Sequence, residues 1–310
     1  MGVWLQHNHI NVSEKTETLA GVIQNTGYRD IDSEFVEKVR LDNKIKYVQI
    51  STVLPDEAYQ KIDSIFAARP DMKFRIFGLY GYEKYDISFL KKMPHLRHLI
   101  IDCHLRNTPD LIDFNLLKEL KLKSLFLNAF DLKDYGFMQH LDEEIESIGI
   151  MADTVSGNIE FDCKWLLKYP LINELWLGKK ANKNIACLAE MKNLKHLTLR
   201  GIKIKDFSYL KKMKLEKLAL LWNGNDDLHE LADLKSLKEI ELWRINKLSD
   251  ISFLSALENL EIIKLQDLKH ISKLPDLSNL KNVREIIIDN TRIAEGEIDG
   301  GLKPFVTFYR

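Results

Sequence analysis

The chain has 310 residues, 45% of them hydrophobic, which is enough to bury a sizeable core and excludes wholesale disorder. Lysine plus arginine number 45 against 46 aspartates and glutamates, so overall charge gives no argument for nucleic acid or an anionic membrane as a partner. Cys103, Cys163 and Cys187 lack both CxxC spacing and the even count of a disulfide scaffold, which favours reduced thiols and a cytoplasmic location. No apolar run approaches the roughly 20 residues of a membrane-spanning helix. The opening MGVWLQHNHINV has no secretory pattern, and a secreted or cell-surface location is the alternative if a leader has been removed.

At the N-terminus His7 and His9 stand two apart and would share one face of a strand. Zinc needs at least one more ligand, and none is legible nearby, so these histidines are read as exposed or capping, with no metal and no cofactor expected. SEKTETLAGVIQNTG (13–27) predicts a helix stopped at Gly27, and DSEFVEKVR a second one capped at Asp32 or Ser33. Residues 1–44 are therefore expected to form a helical N-terminal cap. PDEAYQKIDSIFAARPD (55–71) predicts a further helix between Pro55 and Pro70.

From Ile45 onward one frame recurs, apolar-x-x-apolar-x-apolar. It begins at Ile45, Phe74, Leu96, Leu122, Ile145, Ile172, Leu194, Leu215, Leu237, Leu260 and Val283, at intervals of 29, 22, 26, 23, 27, 22, 21, 22, 23 and 23. DISFL (86–90), DFSYL (206–210) and DISFL (250–254) fall at its thirteenth or fourteenth position. Two signals in one register predict about eleven stacked units, each a strand with a return segment that buries its apolar face only against its neighbours. A 22-residue unit leaves room for a 3₁₀ or extended return, whereas the 29-, 26- and 27-residue units have room for α-helices. A (β/α)₈ barrel needs about 30 residues per unit, and the last five intervals are too short. The tail GGLKPFVTFYR (300–310) predicts a closing edge strand.

This pattern resembles the short, 22-residue class of leucine-rich repeats, LxxLxLxxNxIxDIxxLxxL, over roughly residues 45–293. LKHLTLRGIKIKDFSYLKKM (194–213) follows it closely, with Ile202 at the family's asparagine position, while Asn223 matches that position in the next unit. The resemblance implies an α/β leucine-rich repeat solenoid, with a curved parallel sheet on the concave side and 3₁₀ or short helices on the convex side. Its expected organisation is a cap over 1–44, repeats over 45–293 and a C-terminal cap over 294–310, all one continuous domain. It also implies that Cys163 is a buried or half-buried thiol of a return segment, since cysteine ligases among bacterial leucine-rich effectors carry a separate catalytic domain. GLYGYE (78–83) lacks the Gly-Lys-Ser/Thr ending of a phosphate loop, and no GxSxG or HExxH occurs, so an enzyme is not expected.

Positions 1, 4 and 6 of the frame turn inward, and positions 3, 5 and 7 line the open face. In the copy starting at Phe74 the outward residues are then Ile76, Gly78 and Tyr80. The face collects Tyr80, Phe126, Met151, Trp176, Leu221 and Trp243, with Trp222 at a strand exit and His196, Arg200, Glu239 and Glu241 interleaved. Large apolar groups on a solvent-facing sheet, with tryptophan and arginine among them, predict a docking surface. The bland alternative is Trp176 folded over Gly149 or Gly178. Trp165, in a return segment, is read as core. The expected function is a non-enzymatic module, monomeric, that binds a protein partner through this aromatic patch. The resemblance implies either internalin-like receptor binding or regulation of intracellular proteins such as phosphatases. A carbohydrate-binding or adhesion role is the alternative, for which Glu239, Glu241 and Trp243 are suited.

Overall fold

The computed structural model describes residues 8–79, 85–105, 111–204 and 206–309. It divides into two compact units, Met1–Glu160 and Phe161–Arg310.

The first unit contains β1 (His9–Ser13), β2 (Glu17–Leu19), β3 (Val22–Gly27), α1 (Ser33–Leu41), β4 (Tyr47–Ile50), α2 (Asp56–Ala68), β5 (Lys73–Leu79), β6 (His98–His104), β7 (Ser124–Phe130) and β8 (Ser147–Ala152). Its sheet runs β8-β7-β6-β5-β4-β1-β3-β2. Of the two helices expected before Ile45, α1 forms, and the Asp32 carboxylate accepts the Phe35 N–H at 2.8 Å. Residues 13–27 are not helical. They hold the antiparallel β2–β3 hairpin, closed by Ala20 and Gly21 with φ of 50° and 79°. Positive φ at both central residues is the signature of a type I′ turn, and the flanking threonine, valine and isoleucine suit strands. β1 adds a parallel strand beside β4, with Ile10 opposite Val48. Ile10 and Val12 are buried as its frame residues, but the sequence places His7 where the frame's first apolar residue belongs, which hides this strand from the pattern.

α2 forms between its two prolines and packs on the sheet through Ile62, Ile65 and Phe66, all buried. Tyr59 stacks on Phe89 at 4.2 Å, and Phe66 meets Phe74 edge-on at 5.9 Å. Arg69, 8% exposed, follows the helix and ties this corner together through the carbonyls of Val39, Asp42 and Ile45 and the carboxylate of Asp71.

The second unit contains β9 (Glu174–Lys179), β10 (His196–Arg200), β11 (Lys217–Leu221), β12 (Glu239–Trp243), β13 (Ile262–Gln266), β14 (Glu285–Asp289) and β15 (Val306–Tyr309). They form a parallel sheet in sequence order, and β15 supplies the expected edge strand beside β14. Most of the return segments are 3₁₀ turns, such as Ser208–Lys212 and Ser252–Ala256. The longer intervals also hold 3₁₀ turns, Phe114–Glu119 and Cys163–Lys168, rather than the expected helices. The 27-residue interval has its extra residues in the loop after β8, where Glu160 bridges Asp134.

Ten of the eleven frames bury all three of their apolar residues. The exception starts at Phe74. Phe74 lies opposite Val48 and Leu99, so it fills the fourth place rather than the first. Ile76 is consequently in the core, while Arg75 and Phe77 face outward, Phe77 being 39% exposed. The strand bulges between Phe77 and Leu79, and Gly78 takes a φ of 75° that favours glycine.

The recurring aspartates open the returns. Ser88, Ser208, Ser252 and Ser278 each donate a backbone N–H to Asp86, Asp206, Asp250 and Asp276 at 2.7–2.9 Å. These bonds hold the carboxyls of Asp206, Asp250 and Asp276 below the usual aspartate range. A depressed folded pKa gives stability that is complete above the unfolded value and is lost as pH falls toward the folded one. Melting temperature is therefore expected to drop below about pH 4. The drop should be shallower in an Asp206→Asn/Asp250→Asn double variant followed by circular dichroism.

Two asparagines replace the missing ladder. Asn223, 3% exposed, donates to the Ile202 carbonyl at 2.7 Å, and Asn225 both donates to Ile204 O at 2.6 Å and accepts Ile204 N–H at 3.1 Å. Asn225→Leu strands both buried backbone groups and is expected to cost about 2 kcal/mol in urea denaturation. An unchanged midpoint would remove the asparagine bridge as a source of stability.

Candidate binding surface

The strands of the second unit leave the sheet in one repeated way. Lys179, Gly201, Trp222, Arg244, Asp267 and Asn290 occupy the eighth frame place of successive coils, and their φ values are 59°, 64°, 54°, 54°, 51° and 47°. The turn lets each N–H reach the next coil: Gly201 to Leu221 O, Trp222 to Trp243 O, Arg244 to Gln266 O and Asp267 to Asp289 O, at 2.7–3.0 Å. This conformation favours glycine, asparagine and aspartate, which fill three of these six places. A bulky residue there costs on the order of 1 kcal/mol or more. Trp222 and Arg244 carry that strain on neighbouring coils.

Their side chains meet. Trp222 is 41% exposed and stands edge-on to Trp243, with ring centres 6.0 Å apart and an interplanar angle of 84°. The guanidinium carbons of Arg200 and Arg244 lie 5.2 and 4.5 Å from the Trp222 ring centre. Trp243 is fixed from behind, its indole N–H donating to Asp267 at 2.8 Å. That bond, the Asn290 amide and the Arg244 charge hold the Asp267 carboxyl below its ordinary value. Leu221, 8% exposed, forms the floor between Arg200 and Trp243. On the same face Glu239 bridges Lys217 at 3.0 Å and Lys264 at 2.7 Å. Burial raises the Glu239 pKa, but the two ammonium groups outweigh it and hold the carboxyl low.

The first unit presents a different outward cluster. Arg75 pairs with Asp102 at 2.5 Å and with Gln49 at 3.2 Å, between the rings of Phe77 and Tyr47 at 4.3 and 5.8 Å. His9 stacks on Tyr47 at 5.0 Å. Phe126 lies over Gly149, where any β-carbon would collide with its ring. At Gly149 the covering ring is thus that of Phe126.

In both units a parallel strand with inward apolar residues is followed by a return segment, most often a 3₁₀ turn, at a period of 21–23 residues in the second unit and a mostly longer one in the first. Each unit is built of leucine-rich repeat coils. Neither a family model nor a curated protein sequence matches the chain. Among solved structures it is similar to the internalin InlF of Listeria monocytogenes, at 17% identity over 89% of this chain and 88% of that one, with a TM-score of 0.48. The functional domain of InlJ from the same organism is 13% identical over 84% of this chain and 51% of its own, with a TM-score of 0.47. A leucine-rich repeat protein of Leptospira interrogans is 15% identical over 87% and 92%, with a TM-score of 0.43.

The leucine-rich repeat sheet of the second unit brings Arg200, Leu221, Trp222 and Trp243 together. His196 is exposed and Glu241 half-buried on the strands alongside, and Trp176 is half-buried on β9, opposite Thr198. Phe126 and Met151 belong to the first unit, on β7 and β8, both half-buried. Tyr80 and His7 lie outside the described residues. The cluster residue missed in the sequence is Arg244, which follows Trp243 as Trp222 follows Leu221. Arg75 and Phe77 were hidden by the register error in β5.

No group of three or more histidine, cysteine, aspartate or glutamate residues suited to a metal occurs among the described residues. Burial pushes the Cys103 thiol to about 12 and the Cys187 thiol to about 11, and raises that of Cys163, which is fully buried. All three are free thiols and are protonated at neutral pH, unlike activated nucleophiles. Trp165, read as core, is half-buried against Phe161 at 6.0 Å. Among the described residues no helix is long and apolar enough to cross a membrane.

Proposed function

We propose that the chain is a monomeric protein-recognition module that holds a protein partner on the open face of its sheet, with Trp222 and Trp243 as its anchor. The observation that carries this reading is Trp222, an exposed indole held in a strained left-handed turn, a place that glycine, aspartate or asparagine fills in three of the six coils. Strain retained at an exposed aromatic is understandable where that ring meets something else. The strands beneath are rigid, so little ordering entropy is lost on binding. Partner contact is through protein rather than nucleic acid, in keeping with the balanced charge. Three free thiols support a reducing, cytoplasmic setting. A sugar-binding reading is less well served, because Glu239 is already bridging two lysines.

The test is affinity capture from cell lysate with the wild-type chain and with the Trp176→Ala and Trp243→Ala variants. A protein held by the wild type and released by both folded variants supports the reading. Equal capture by all three, or binding to a glycan array alone, sinks it.

A further inference from the structure

The charges at the Trp222 corner do not balance. Elsewhere on these strands the cations have carboxylates: Lys217 and Lys264 share Glu239 at 3.0 and 2.7 Å, and Lys195 pairs with Glu216 at 3.3 Å. Among the described residues Arg244 forms an ion pair only with Asp267, at 3.6 Å. The Asp267 oxygens already accept the Trp243 indole N–H at 2.8 Å and the Asn290 amide at 2.5 Å. Arg200, half-buried at the end of β10, enters no ion pair among the described residues, and its cation lies against Trp222. Glu241 does not neutralise it: in register Glu241 faces Ala219 on β11, whereas Arg200 faces Leu221.

Two guanidinium groups therefore flank one exposed indole, with one carboxylate shared among three donors. Like charges held against the same ring repel, and an anion that pairs with one of them relieves the repulsion. Guanidinium offers planar, forked donors whose geometry matches a carboxylate, and charge-assisted bonds of this kind are the strong ones. The indole supplies an apolar wall for the stem of the incoming group. The left-handed turn at Trp222, with φ of 54°, keeps the ring out at the strand exit, between the two arginines.

We infer that this corner takes an acidic side chain of the protein partner, an aspartate or glutamate whose carboxylate pairs with Arg200 and whose stem lies beside the Trp222 ring. This inference rests on the reading that the open sheet face binds a protein, and it names the chemistry that the partner presents.

The experiment follows the tryptophan indole N–H signals of the ¹⁵N-labelled full chain by NMR. The probes are the peptides acetyl-GDEFEDG-amide, its neutral counterpart acetyl-GNQFQNG-amide, and a phosphoserine version. Trp222→Asn assigns the indole signal and preserves a residue suited to the left-handed turn. The acidic peptide is expected to move the Trp222 and Trp243 signals and to bind about tenfold more tightly than the neutral one. The preference should shrink in high salt as the charges are screened. Arg200→Gln is expected to abolish the preference, while Arg200→Lys restores only part of it, because an ammonium has no planar fork. Equal affinity for the two peptides, no indole shift with any of them, or an acid preference that survives Arg200→Gln would overturn the inference. Tighter binding of the phosphoserine peptide would overturn it too, assigning the corner to phosphate. If the acid preference fails while Trp176→Ala and Trp243→Ala still release the captured protein, the recognition surface stands without an acidic anchor.

Discussion

Leu197→Ala is expected to lower the free energy of unfolding by about 3 kcal/mol, within the roughly 2–5 kcal/mol seen for buried leucine truncations. Leu197 is fully buried in β10, between Leu175 and Leu218 on the adjoining strands. Each coil contacts mainly its neighbours, so the cavity is shared by residues that are themselves held in register by the sheet and relax little. Thr198, the next residue, faces the other way, and Thr198→Ala should change stability by less than about 0.5 kcal/mol. Urea denaturation of the two variants beside the wild type reads the contrast directly. Similar losses at both positions would mean that the inward and outward faces are misassigned.

The second large effect concerns binding. Trp176→Ala and Trp243→Ala should each leave the fold intact and weaken partner binding by roughly 2 kcal/mol or more, the scale of an aromatic hot spot. Trp243 is half-buried, but what it covers is the Trp222 ring and the Asp267 carboxylate rather than the apolar interior. After truncation Asp267 still has Asn290 and Arg244. Isothermal calorimetry with the captured partner measures the loss, and circular dichroism checks the fold. Trp243→Phe separates two contributions, since it keeps a ring against Trp222 and removes the N–H. A severe loss of secondary structure in either alanine variant would show these residues to be structural.

The register of β5 shows where the pattern misleads. Phe74, Phe77 and Leu79 have the right spacing, yet the sheet pairs Phe74 with Leu99, and the true first place holds Asp71. Apolar spacing alone cannot distinguish two overlapping frames when the chain supplies hydrophobic residues for both. The pairing of neighbouring strands can, because it fixes which alternate residues face the core, and an odd shift turns every side chain of the strand to the other face. The hairpin after β1 was obscured for a related reason. Good helix formers and β-branched residues alternate in SEKTETLAGVIQNTG, and the turn at Ala20 and Gly21 lacks the asparagine or aspartate that usually marks it.

The candidate surface was legible in outline. Leucine spacing alone put Trp176, Trp243, Arg200 and Glu239 outward, since alternate side chains on a strand must face opposite ways. It did not give their partners. Glu239 is engaged by Lys217 and Lys264, Phe126 is laid on a glycine, and Trp222 is clasped by two arginines from the coils on either side.

The sequence by itself determined the period, the parallel coils and which residues of ten frames are buried. Those follow from local alternation and from the need of each short unit to cover its apolar face. The tertiary structure decided the register of β5, the strand character of the N-terminus and the company that Trp222 keeps. Those depend on which residue of one coil lies beside which residue of the next, a distance that runs across the stack and is written nowhere along the chain.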